Sequence, residues 1–162
     1  NADRVKLACL AQLINVIAPI MTNSKGMLRQ TIYYPYSWAL QFARGSVLNL
    51  LVESPGHEVS GMGHVPYLDV AGTTDPESGK VSLFVMNRDL SKAHVVEINW
   101  QDNAPARALS SVLLTGDDLK AFNSFDAPQR VVPRTLDKSS IAGGRAKFEV
   151  PARSYSVIQW GG

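Results

Sequence analysis

The sequence predicts a mainly β protein, a jelly-roll type β-sandwich preceded by the last helix-strand-helix remnant of a (β/α)8 barrel. Three observations predict it. Apolar residues recur at three- and four-residue spacing near the start, and from about Val47 onward they alternate at a spacing of two. Clusters of Gly, Pro, Asn, Asp and Ser separate the alternating runs, as in antiparallel all-β folds. The opening order of helix, short strand and helix is the rhythm of the last units of a parallel α/β structure. The predicted division is residues 1–45 for the barrel remnant and 46–162 for the sandwich.

In the first element, Val5, Leu7, Ala8, Leu10, Ala11, Leu13, Ile14 and Ile17 give a wide apolar helical surface with Asp3 as its N-cap. Pro19 would remove a helical hydrogen bond and clash one turn back, so this helix is expected to stop near Ala18. A loop over residues 22–26 follows, then a short β-prone run at 28–34. Pro35 suits the start of a second helix whose apolar side is Trp38, Ala39, Leu40, Phe42 and Ala43, and Gly45 ends it.

The sandwich strands follow from alternation. Leu48, Leu50 and Val52 share one face of the first; residues 65–70 make the second; Val81, Leu83 and Val85 point one way in the third; His94, Val96, Ile98 and Trp100 do so in the fourth. Further strands are expected at 108–114, 130–132, 147–150 and 155–160. The turns between them are expected at 54–63, 72–80, 101–106 and 136–144.

Composition narrows the function. At 162 residues the chain can bury one good core, or a modest core plus part of another domain. The net charge is only +2, with Lys and Arg scattered among acids, so no nucleic-acid stripe is present. Cys9 is the only cysteine, which excludes an internal disulfide and any cysteine-built metal site. No run approaches the roughly 20 apolar residues that span a bilayer, and Asp3 and Gln12 sit where a secretory signal needs a basic start and an apolar centre. A cytoplasmic protein with no membrane partner is the expectation.

Most chemistry-bearing residues have ordinary explanations. Asp75, Glu77, Asp102, Asp117 and Asp118 fall in turns, where Asp bonds its own backbone, while Glu53, Asp69, Glu97 and Glu149 stand alone on strands; no pair suits glycosidic cleavage. His57, His64 and His94 match no zinc spacing. No serine stands in a GxSxG elbow, and Gly143-Gly144 is a turn signal rather than a phosphate cradle. Cys9 reads as a small hydrophobe within its helix. Trp38, Trp100 and Trp160 could offer sugar-stacking faces, but their aliphatic neighbours favour core packing. Arg29 and Gln30 differ, because polar groups at the C-terminal ends of barrel strands point into active sites.

The blocks NADRVKLACLAQLINVIAPIMT, RQTIYYPYSWA, VPYLDVAGT, LFVMNRD, LTGDDLKAFNSFDAPQRVVP and SYSVIQW, running from Asn1 to about Trp160, resemble the C-terminal part of the α-L-arabinofuranosidases of glycoside hydrolase family fifty-one. The resemblance implies the end of a catalytic (β/α)8 barrel followed by a jelly-roll sandwich. It further implies a retaining hydrolase with a glutamate acid/base and a glutamate nucleophile, both on polypeptide preceding the equivalent of Asn1. The fragment alone is then expected to be inactive. Gln30 corresponds to the family glutamine that hydrogen-bonds the arabinofuranosyl unit at the cleavage subsite, and an amide that both donates and accepts suits a hydroxylated ring. Arg29 would be turned to the opposite face by strand alternation, and Leu28 replaces the aromatic that often precedes it. No metal or organic cofactor is implied. The implied partners are arabinofuranosyl oligo- or polysaccharides and, from the family's frequent multimers, further copies of the chain. The competing expectation is a noncatalytic structural or carbohydrate-binding module.

Overall fold

The computed structural model describes residues 3–101, 103–136 and 140–162. In chain order the elements are β1 (Ile20–Asn23), β2 (Gly26–Arg29), α1 (Tyr33–Phe42), β3 (Ser46–Val47), β4 (Gly56–Val59), β5 (Gly63–Pro66) and β6 (Leu68–Asp75). They continue with β7 (Lys80–Asn87), β8 (His94–Asn99), β9 (Arg107–Thr115), β10 (Arg134–Thr135), β11 (Ser140–Ala142), β12 (Arg145–Val150) and β13 (Ser154–Gly161). Six strands form one antiparallel sheet in the order β10-β9-β13-β7-β6-β3, and three form a second in the order β11-β12-β8. The pairs β1-β2 and β4-β5 are separate hairpins.

The interior between the two larger sheets follows from the alternation. Leu68, Leu83, Val85, Leu113, Ile158 and Trp160 from the large sheet meet Ala146, Phe148 and Val150 from β12 in one apolar cluster. The intervening residues Phe84, Leu114 and Val157 point to the opposite face, where α1 covers them. The central strands β7 and β13 are therefore buried on both sides, which is why each reads as a nearly unbroken apolar run. Between Gln159 and Trp160 the register with β9 shifts by one residue, leaving Leu109 unpaired as a bulge on β9, while Trp160 keeps its alternation with Ile158 and stays in the interior.

Helix α1 forms because Tyr34, Trp38 and Phe42 recur every four residues and bury one stripe on the sheet. Each buried side chain of this size contributes about 1.5–3 kcal/mol. Pro35 lies in the first turn, where a missing N–H breaks no helical bond. Gly45 ends the connection at φ +76°, with the carbonyl oxygen of Thr74 only 2.1 Å from where a Cβ would sit, so no other residue fits.

The helix expected over residues 3–18 is absent, and with it the helix-strand-helix order. Gln12, Asn15 and Val16 have φ near +60°, which a right-handed helix cannot contain. Helices draw most of their stability from a covered apolar face, yet Val5, Leu7, Leu13 and Ile17 are more than half exposed. Cys9 is exposed as well, not packed. In place of a lone strand over 28–34, β2 pairs antiparallel with β1 and stops before Gln30, and α1 starts at Tyr33. Asn23 Oδ1 accepts the N–H groups of Lys25 and Gly26, which closes that hairpin.

Three strand expectations also change. Residues 48–52 do not join the sheet beyond one bond from the Leu48 N–H to the Gly72 carbonyl, since the side chains of Leu48 and Leu50 cross over Gly72. The run 65–70 is broken at Tyr67, whose N–H bonds the Pro55 carbonyl as the chain leaves one hairpin for the large sheet. At 130–132 the Val131 N–H bonds the Asn123 side chain instead of a neighbouring strand. The expected turn at 54–63 contains β4, folded back onto β5 through Gly61 and Gly63 at positive φ. The expected turns at 101–106 and 136–144 fall in part outside the described residues, as does Asp102.

Candidate functional site

Gln30 stands between the β1-β2 hairpin and α1 and is half-buried. Its backbone N–H donates to the Pro19 carbonyl at 2.8 Å, and its own carbonyl accepts from the Tyr33 N–H at 3.0 Å. Its side-chain Nε2 donates to the Ala18 carbonyl at 2.7 Å. Ala18 and Pro19 are fully buried, so this end of the side chain is anchored to rigid backbone. The Oε1 atom accepts no hydrogen bond from the described residues, which leaves one acceptor and the second N–H for a ligand.

Arg29 is exposed, with its guanidinium carbon 5.1 Å above the centre of the Tyr33 ring. Its carbonyl accepts from Asn123 Nδ2 at 3.1 Å. Asn123 carries no role in the sequence reading. Its surroundings are backbone atoms distant in sequence, and only its place in the LTGDDLKAFNS block could have drawn attention to it.

One residue beyond Gln30, Thr31 borders a cleft of about 390 Å³ also lined by Leu119, Val131, Arg153 and Tyr155. Burial pushes the Tyr155 hydroxyl above its usual pKa, and its ring stacks on Trp38 with centroids 6.0 Å apart. A more polar hollow of about 260 Å³ lies between Arg44, Lys80, Ser82 and Gln159. At its rim the Asp75 carboxyl is held below its ordinary pKa, chiefly by the Ser78 hydroxyl.

The other residues singled out from sequence do not converge on Gln30. His57 and His94 both stack on Tyr67, and His64 lies 3.4 Å from Glu58. Among the described residues no group of three or more His, Cys, Asp or Glu side chains is placed to hold a metal ion. Glu97 pairs with Lys147 at 2.6 Å, which lowers its pKa. Trp38 and Trp160 are buried, and Trp100 meets Trp160 edge-on. No helix among the described residues is long and apolar enough to cross a membrane.

Residues 1–154 match the family described as the α-L-arabinofuranosidase C-terminal domain. The chain is 37% identical over 163 residues to an intracellular exo-α-(1→5)-L-arabinofuranosidase of Acetivibrio thermocellus, covering 99% of this chain and 32% of that protein. It is 36% identical to an exo-α-(1→6)-L-arabinofuranosidase of Bifidobacterium longum, covering 98% of this chain and 31% of that one. Its fold resembles the solved family 51 α-L-arabinofuranosidase from Bifidobacterium longum, with a TM-score of 0.89, 34% identity, and coverage of 98% of this chain and 31% of the other. The chain thus spans about a third of the length of the relatives it matches.

Proposed function

Because the chain belongs to the α-L-arabinofuranosidase C-terminal domain family, we propose that it is the C-terminal part of a retaining α-L-arabinofuranosidase of glycoside hydrolase family 51. The substrate class is terminal, non-reducing α-L-arabinofuranosyl groups on arabinan, arabinoxylan or their oligosaccharides. The similarity over 99% of this chain to a named exo-acting arabinofuranosidase carries the proposal. The glutamate acid/base and the glutamate nucleophile are supplied by polypeptide outside this chain, and the chain by itself is inactive. Residues 1–45 complete the catalytic barrel and residues 46–162 form the appended sandwich. The inner apolar cluster, whose members all follow residue 46, and the uncovered apolar side chains at 5–17 support that division, while α1 packs through Tyr34, Trp38 and Phe42 on the outer face of the large sheet and joins the two parts. The intracellular relatives support a cytoplasmic location.

Gln30 is the part of the sugar site that this chain contributes. One end of its amide is fixed on Ala18, and the remaining donor and acceptor hold hydroxyls or the ring oxygen of the arabinofuranosyl unit. Fixing the ring beside the reacting groups lowers the barrier through orientation alone. A binding module built on indole platforms is disfavoured, because Trp38 and Trp160 are occupied in packing. Turnover of an aryl α-L-arabinofuranoside by the full-length protein tests the assignment. Gln30→Ala should lower kcat/KM by about tenfold to a hundredfold, as expected for lost orienting hydrogen bonds. Unaltered turnover would remove Gln30 from the site.

A further inference from the structure

We propose that Asn123 is a positioning residue for Gln30; this rests on the reading of Gln30 as a sugar contact. Asn123 is 3% exposed, and every polar part of its amide is engaged with backbone. Its Nδ2 donates to the carbonyls of Arg29 at 3.1 Å and Val131 at 2.8 Å, while its Oδ1 accepts from the Val131 N–H at 2.8 Å. A buried amide satisfied in this way is a rigid bracket.

The consequence for Gln30 follows from the planarity of the peptide bond. The Arg29 carbonyl held by Asn123 and the Gln30 N–H held by Pro19 belong to the same peptide plane, so that plane is fixed at both poles. The next plane is fixed by the bond from the Tyr33 N–H to the Gln30 carbonyl. With both flanking planes anchored, the direction in which the Gln30 side chain leaves the backbone is set, and the bond to Ala18 sets its far end. Asn123 is 94 residues from Arg29 in sequence, so the loop after β9 reaches back to define the geometry of a side chain in the first fifth of the chain.

A residue that only closed its own loop, through the two bonds to Val131, would leave Gln30 indifferent. A double-mutant cycle in the full-length enzyme separates the cases, read as kcat/KM on an aryl α-L-arabinofuranoside. Asn123→Ala should lower kcat/KM by about tenfold, the scale of a misplaced contact. The Gln30→Ala/Asn123→Ala pair should be no slower than Gln30→Ala alone by more than about twofold, because nothing remains to be positioned. Hydrogen exchange across residues 28–33 should quicken in Asn123→Ala. If that variant folds poorly, Asn123→Ser keeps one neutral hydroxyl as donor and acceptor in place of the amide's two donors, and it should show the same non-additive loss. Losses that multiply, or a silent Asn123 variant beside a slow Gln30→Ala, overturn the positioning role. A silent Gln30→Ala instead overturns the sugar contact and this proposal with it, so the silent variant identifies which reading failed.

Discussion

Asp89 Oδ2 lies 3.0 Å from Nε2 of His94, whose ring stacks on Tyr67. The same carboxylate accepts the N–H groups of Ser91 and Lys92 and the Ser91 hydroxyl, and the residue is only 5% exposed. It thereby organises the turn between β7 and β8, where the chain passes from the large sheet to the small one.

This arrangement makes acid stability testable. The Ser91 N–H leads the causes that pull the Asp89 carboxyl from the ordinary 3.8 down to about 2, with Lys92 and His94 adding to it and burial opposing. A carboxyl whose folded pKa is depressed stabilises the fold above the unfolded value and loses that contribution as pH falls through the folded one. The stability advantage of the native protein over Asp89→Asn, measured by urea unfolding, should therefore be full above about pH 5 and shrink as pH falls from about 4 toward 2. A gap independent of pH in that window would contradict the account.

Trp38 lies face to face with Tyr155 on the outer side of the large sheet, at an interplanar angle of 11°. Trp38→Ala should cost about 3–5 kcal/mol, the usual range for a buried aromatic. Denaturant melts should show the loss, with exchange accelerated through residues 33–42. An effect below about 1 kcal/mol would mean that α1 is not part of the cooperative unit.

Gly45 and Gly79 both have positive φ, but only Gly45 faces a wall of backbone, the Thr74 carbonyl. Gly79→Ala should cost about 1 kcal/mol for the left-handed conformation alone. Gly45→Ala adds a clash that no rotamer relieves and should cost clearly more, about 2–4 kcal/mol. Equal thermal shifts in the two variants would sink the distinction.

Cys9 is exposed and among exposed neighbours. Maleimide should label it in this chain under native conditions at nearly the rate seen in urea. Strong native protection would show that the apolar segment around it is covered.

Much of this architecture could be read from sequence where periodicity and burial coincide. The third, fourth, fifth and last expected strands lie within a residue or two of β7, β8, β9 and β13, because one or both faces of each are buried and the side-chain pattern records it. The segment over residues 3–18 has an equally clear helical pattern, yet periodicity records only what a face could bury, not whether a surface is there to bury it. The β1-β2 hairpin was hidden by strands of four residues each, too short to alternate visibly. Gln30 was singled out through the resemblance of RQTI to a family motif, and its contact with the sugar is a proposal. Asn123 was not, because its partners at residues 29 and 131 are main-chain atoms that only the fold brings together.

The place of β13 between β7 and β9 has a consequence for biosynthesis. On a ribosome, β6 and β7 can zip together as soon as they emerge, but β9 and β10 have no docking edge until residues 154–161 have left the exit tunnel. Final closure is thus delayed until this strand is available, and until then the chain holds two unjoined half-sheets whose unpaired margins invite association.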